Sequence, residues 1–61
     1  MDNVYVLRLI DHNDDIVVGV FAAEGLAEMA REKLEAGMSQ EEQDAGVFYR
    51  ITAYQLGKIY G

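Results

Sequence analysis

Two segments that read as strands carry apolar residues on both faces, and the chain holds little else to cover them. Val4-Tyr5-Val6-Leu7-Arg8-Leu9-Ile10 has one charge in seven positions, and Ile16-Val17-Val18-Gly19-Val20-Phe21-Ala22 has none. A strand with one wet face alternates apolar and polar residues, whereas a strand covered on both faces does not. In a chain of 61 residues, one short helix covers one side of a small sheet. The other side is then an exposed apolar patch, and such patches mark binding surfaces. The chain therefore reads as half of an assembly: one copy of a homo-oligomer, or a piece that docks on a larger partner.

Other ways of stabilising so small a domain are closed. A single domain spanning 1–61 sits near the lower size limit for a self-sufficient core. There is no cysteine, so neither a disulfide nor a thiolate metal site is available as a staple. Oligomerisation remains as the way to bury more apolar area. The lack of cysteine fits a reducing compartment. No run reaches the length of a membrane span, and Met1-Asp2-Asn3 lacks the basic start of a secretion signal. The expectation is a soluble cytoplasmic protein with no membrane partner.

The order of elements follows from residue types and spacing. Residues 4–10 and 16–22 are predicted strands, rich in β-branched and aromatic side chains. Asp11-His12-Asn13-Asp14-Asp15 between them is a polar turn, so the pair forms an antiparallel hairpin. Residues 24–36 read as a helix, because Ala23, Leu26, Ala27, Ala30 and Leu34 recur at helical spacing. Its stripe is mostly alanine, which lets it approach the sheet closely. Gly37 is placed to end it in a left-handed cap. Ser39 and Glu42 have the spacing of a capping box, and Gly46 offers a stop, so 40–45 reads as one extra helical turn. Residues 47–55 form the third strand, with Val47, Tyr49, Ile51 and Ala53 alternating with Phe48, Arg50, Thr52 and Tyr54. A right-handed crossover from the second strand places the third beside the first. The fold class is α+β: a three-stranded antiparallel ββαβ sheet, order 2-1-3, with one main helix on one face. Whether Tyr5, Leu7 and Leu9 or Val4, Val6 and Ile10 face the helix stays open, because a one-residue slip in register exchanges the two sets.

The hairpin, the alanine-rich helix and the strand Tyr49-Arg50-Ile51-Thr52-Ala53-Tyr54-Gln55-Leu56 together resemble small β-β-α-β domain proteins of phages and bacteria. The resemblance covers most of the chain and lies chiefly in apolar spacing. It implies the fold and a phage or bacterial origin, with the host cytoplasm as location if the chain is phage-encoded. It brings no catalytic or binding residues with it.

Enzyme chemistry has little to stand on. There is one His, one Ser and no Cys; Ser39 is explained as a helix cap, and nothing pairs it with His12 as a base. The six glycines are scattered, so no phosphate-cradling loop is present. Asp11, Asn13 and Asp15 match the first three ligand positions of a calcium loop. The match then fails, with Ile16 where glycine is required and Ala22 where a bidentate Glu belongs. The expectation is no catalytic residues, no metal and no cofactor.

Charge narrows the partner instead. Eleven acidic residues against five basic ones give a net charge of −6, which disfavours phosphate backbones and anionic lipid. Tyr5, Tyr49, Tyr54, Tyr60, Phe21 and Phe48 offer stacking surfaces, but only Arg8 and Arg50 accompany them on the first and third strands, which is thin for direct nucleic-acid binding. Glu24, Glu28, Glu32 and Glu35 fall within an arc of about 80° on the helix. They form either a solvated outer face or an acidic ridge for a protein partner with a basic surface. The sequence points to a non-enzymatic, acidic protein-binding module. It works as a homo-oligomer, or by docking on and inhibiting a nucleic-acid-handling host protein, such as one used in defence. The alternatives are a structural or regulatory homo-oligomer whose charge serves solubility alone and, behind it, a small metal-binding or enzymatic domain centred on the turn from Asp11 to Asp15. Candidate self-interface residues are Val4, Val6, Arg8, Ile10, Val18, Val20 and Tyr54, with Ile59 and Tyr60 from an apolar tail.

Overall fold

The computed structural model describes residues 2–57 and 59. Two strands, β1 (Asn3–Ile10) and β2 (Asp15–Phe21), are followed by helices α1 (Glu24–Ala36) and α2 (Gln40–Asp44) and by strand β3 (Phe48–Gln55). The sheet order is β2-β1-β3, with both pairings antiparallel. This is the expected α+β arrangement, and each element lies within a residue or two of its predicted span.

Local chemistry explains the boundaries. The four-residue turn after Ile10 is closed by the Asp11 N–H donating to the Asp14 carbonyl at 3.0 Å. The Ser39 Oγ accepts the Glu42 N–H at 3.2 Å, and a Glu42 carboxylate oxygen accepts the Ser39 N–H at 3.3 Å, so the capping box opens α2. Gly46, at φ 82°, then reverses the chain into β3. Gly37 departs from its expected left-handed cap: its φ is −91°. The last turn of α1 tightens instead, with the Gly37 and Met38 amides donating to the Leu34 and Glu35 carbonyls at 3.1 Å each. These three-residue bonds satisfy the helix end without a left-handed residue.

The register settles which face is covered. Leu7 lies between Gly19 on β2 and Ile51 on β3, and it is fully buried, as is Ala27 on α1. The helix therefore covers the side carrying Tyr5, Leu7 and Leu9, and the alternate set Val4, Val6, Arg8 and Ile10 lies outside. On β2 the pairing slips: Leu7 pairs with Gly19, yet Arg8 pairs with Val17. Val18 is the extra residue of a β-bulge. Gly19 sits beside that bulge, and a Cβ there would come within 2.7 Å of the Phe21 ring. The glycine is thus explained by Phe21 lying over it rather than by close approach of the helix.

The covered core is small. Of the apolar stripe expected on α1, Ala27 is buried and Ala30 half-buried, while Ala23, Leu26 and Leu34 are exposed. Alanine lets the helix sit close, but its longer neighbours overhang the sheet. The Cα atoms span 39 × 25 × 11 Å with a radius of gyration of 12.7 Å. A compact chain of this length has about 10.5 Å. The molecule is a slab, with one helix on one side of its sheet.

Candidate interaction surfaces

Pairing partners in a sheet point to the same face, so the outer face can be read from the register. Val6 pairs with Val20 and Thr52, Val4 with Tyr54, Ile10 with Phe48, and Arg8 with both Val17 and Arg50. Because Val18 is the inserted residue, Val17 and Val18 both point outward. Val17 and Val20 are more than half exposed, at 56% and 59%. The outer face is an apolar field interrupted by a polar cluster around Arg8. Its guanidinium donates to Asp15 at 3.0 Å and to the Thr52 hydroxyl at 3.4 Å. Arg50 stacks over the Phe48 ring, 5.6 Å from its centroid.

Seven of the expected self-interface residues therefore share this face: Val4, Val6, Arg8, Ile10, Val18, Val20 and Tyr54. Ile59 is 95% exposed, and Tyr60 lies outside the described residues. Sequence reasoning missed Val17, because strict alternation puts it on the face opposite Val18. Gly19 was the available signal, since a glycine inside a strand marks bulges. Phe48 and Arg50 also lie on this face but were not among the expected self-interface residues.

The acidic residues of α1 lie on the other side of the molecule. Glu24, Glu28, Glu32 and Glu35 are all exposed. Glu35 is paired, its carboxylate 3.2 Å from the Arg31 Nε. Among the described residues the other three make no ion pair. Among the described residues the ridge is thus three carboxylates outside ion pairs and one neutralised one. Glu24, Glu28 and Arg31 form one wall of a cleft of about 420 Å³, whose opposite wall is β3 and whose floor includes Tyr5. On the β2 side a second, apolar groove runs between Phe21 and Leu26, Met29 and Ala30.

The polar turn is structural. One carboxylate oxygen of Asp11 accepts the Asn13 and Asp14 amides at 2.8 Å each, and Asp15 is the partner of Arg8. The Asp11 and Asp15 carboxylates are therefore turned to the backbone and to an arginine. The His12 Nε2 lies 2.6 Å from the Ala45 carbonyl. A carbonyl only accepts, so that nitrogen carries the hydrogen and the ring ties the hairpin turn to the end of α2, where a donor suits the helix carbonyls. Nothing in the spacing of positions 12 and 45 announced this contact.

The Asn13 and Asp14 amides, together with the nearby His12, hold the Asp11 carboxyl below its ordinary range. With the folded-state value lowered, the stabilisation is fully present above the unfolded pKa of about 3.9 and is lost as pH falls through that value toward the folded one. Asp11→Ala is therefore expected to lower the unfolding midpoint above about pH 5. The gap between variant and parent should close on acidification, as thermal melts between pH 2 and 7 would show. A gap that stays constant with pH would mean that the turn does not depend on the charged carboxylate.

No helix among the described residues is long and apolar enough to cross a membrane, and no group of three or more His, Asp or Glu side chains comes together among them in a way that would hold a metal. No family model, curated protein or solved structure matches the chain, so its own geometry carries the functional reading.

Proposed function

We propose that the chain is a non-enzymatic protein-binding module that works as a homodimer, two copies meeting through the outer faces of their sheets. The observation that carries this reading is the face itself: an apolar field on a three-stranded sheet with neither helix over it among the described residues. Eight-residue strands at about 3.3 Å per residue and three strands at about 4.8 Å spacing make a face of roughly 26 by 14 Å. Two sheets pack face to face about 10 Å apart. The result is four layers, with helices outside and the apolar residues between. Arg8 enters such an interface already paired with Asp15, which limits the cost of burying its charge. Arg50 stands on an edge strand, where its head group stays at the wet rim.

Light scattering behind size exclusion, at several concentrations, tests this directly. The expected mass is twice the 6.8 kDa of one chain. It should persist at high salt, because an apolar interface is not weakened by screening. A single-chain mass throughout the accessible concentration range would overturn the reading.

A second reading is favoured by the free carboxylates on α1. In it the acidic side docks on a basic partner and blocks it, as an inhibitor of a nucleic-acid-handling host protein would. Binding to such a partner is expected to weaken steeply with added salt and to be lost when Glu24, Glu28 and Glu32 become Gln. Salt-independent binding would remove this reading and leave the acidic surface with a solubilising role.

A further inference from the structure

We propose that the apolar groove between α1 and β2 is a small-ligand site for a medium-chain carboxylate. The alkyl chain lies along Phe21, Leu26, Met29 and Ala30, and the head group rests at Lys33. The groove is on the helix side of the sheet, so the proposal is independent of the dimer through the outer face.

The first observation is the shape and lining of the groove. It holds about 380 Å³ and is bordered by Phe21, Leu26, Met29, Ala30 and Lys33. Small-ligand sites are concave, mostly apolar and roughly 300–1,000 Å³ in volume, with a few polar groups that fix the ligand's orientation. The helical wall from Leu26 to Lys33 is about 10.5 Å long. That length suits a short extended chain rather than a folded partner.

The second observation is how the floor is made. Phe21 and Gly19 pair with Tyr5 and Leu7, so both lie on the helix side. The Phe21 ring is laid back over Gly19, where a Cβ would come within 2.7 Å of it. A side chain at 19 would lift the ring toward α1 and fill the groove. Leu26 and Met29, on the wall above, remain 53% and 58% exposed. Their apolar surface is therefore available to a ligand, and the flexible thioether of Met29 adapts to its shape.

The third observation sets the head group. Lys33 is the one charged side chain bordering the groove among the described residues, and it makes no ion pair among them. At about 100° per residue, Leu26 and Met29 fall within about 40° of Lys33 around the helix, whereas Glu24, Glu28, Glu32 and Glu35 are about 100° or more away. The acidic side of α1 and the groove side are thus separate, and the groove carries a local positive charge in a chain of net charge −6. A lysine lays its aliphatic stem along apolar surface and keeps its ammonium at the wet end. An apolar wall ending in an ammonium is complementary to an alkyl chain ending in a carboxylate.

Calorimetric titration of the full chain tests the proposal, with octanoate as the probe, kept below the concentration at which it self-associates. Octylammonium and acetate serve as comparison ligands. Saturable binding of octanoate, weaker binding of octylammonium and none of acetate are expected. Octanoate should shift the methyl resonances of Leu26, Met29 and Ala30 and leave those of Val6 and Val20 on the outer face in place. Lys33→Glu should weaken octanoate by about fivefold or more and reverse the preference toward octylammonium. Leu26→Ser should weaken both eight-carbon ligands. Both positions are exposed, and matching far-UV circular dichroism would show that each variant keeps the fold. Non-saturable uptake, shifts confined to the outer-face valines, or an unchanged order of preference in Lys33→Glu would each overturn the proposal.

Discussion

Leu7→Ala is expected to leave a large fraction of the molecules unfolded at 25 °C. Leu7 is the one large side chain among the described residues that is fully buried, and it occupies the centre of the central strand. Its neighbour on β2 is Gly19, which has no side chain to move into the vacated space. Ile51 on β3 and the alanine stripe of α1 are held by their own backbones. A site that cannot collapse pays both the lost transfer energy and the cavity, about 3–5 kcal/mol for a buried leucine. A domain of this length has about 3–9 kcal/mol in total. Urea unfolding followed by circular dichroism measures the difference, with protein concentration held fixed because association would add to apparent stability. Leu7→Met, which keeps the volume, should cost less than about 1.5 kcal/mol. An alanine variant within 1 kcal/mol of the parent would mean that the slab is not organised around Leu7.

The second large effect concerns assembly. Val6 and Val20 are direct cross-strand partners on the outer face. In the double variant Val6→Asp/Val20→Lys the new charges stand opposite each other and can pair within one copy, which protects the fold. In a sheet-to-sheet dimer the same change brings four charges into an apolar interface. Leaving them desolvated and imperfectly paired costs on the order of 4 kcal/mol or more. The dimer dissociation constant should therefore rise by at least about a thousandfold. Sedimentation equilibrium would record a single-chain mass with an unaltered circular dichroism spectrum. Leu26→Ser, on the helix side, should leave the dimer intact. A double variant that stays dimeric would move the interface elsewhere.

The strands, the main helix, the capping box and the sheet order were legible from spacing and residue type, because each rests on local chemistry. Ser39 and Glu42 are three residues apart and make their contacts within one turn. The choice of buried face was not legible. It depends on the pairing of β1 with strands up to 52 positions away and on a bulge that reverses the alternation of β2 midway. Gly37 was misread for a related reason: glycine permits a left-handed cap, but the hydrogen bonds available at the helix end decide whether one is used. The helix stripe was read correctly as a period but too broadly as a core. Periodicity reports which residues share a face, and only packing against the sheet shows that Ala27 goes under while Leu26 and Leu34 stay out. The cleft along β3 was invisible from the sequence, since it is made by an edge and a helix rather than by a motif.

The central position of β1 has a consequence for synthesis. The strand that needs two neighbours is made first, and its second neighbour, β3, is made last. The 34 residues from the end of β2 to the end of β3, made at about 5–20 residues per second, put about two to seven seconds between completion of the hairpin and completion of β3. During that interval the nascent hairpin holds an open apolar face on each side and a free edge on its middle strand. A ribosome-associated chaperone would find its binding site there, and slowing translation between Phe21 and Phe48 should raise aggregation without changing the stability of the finished molecule.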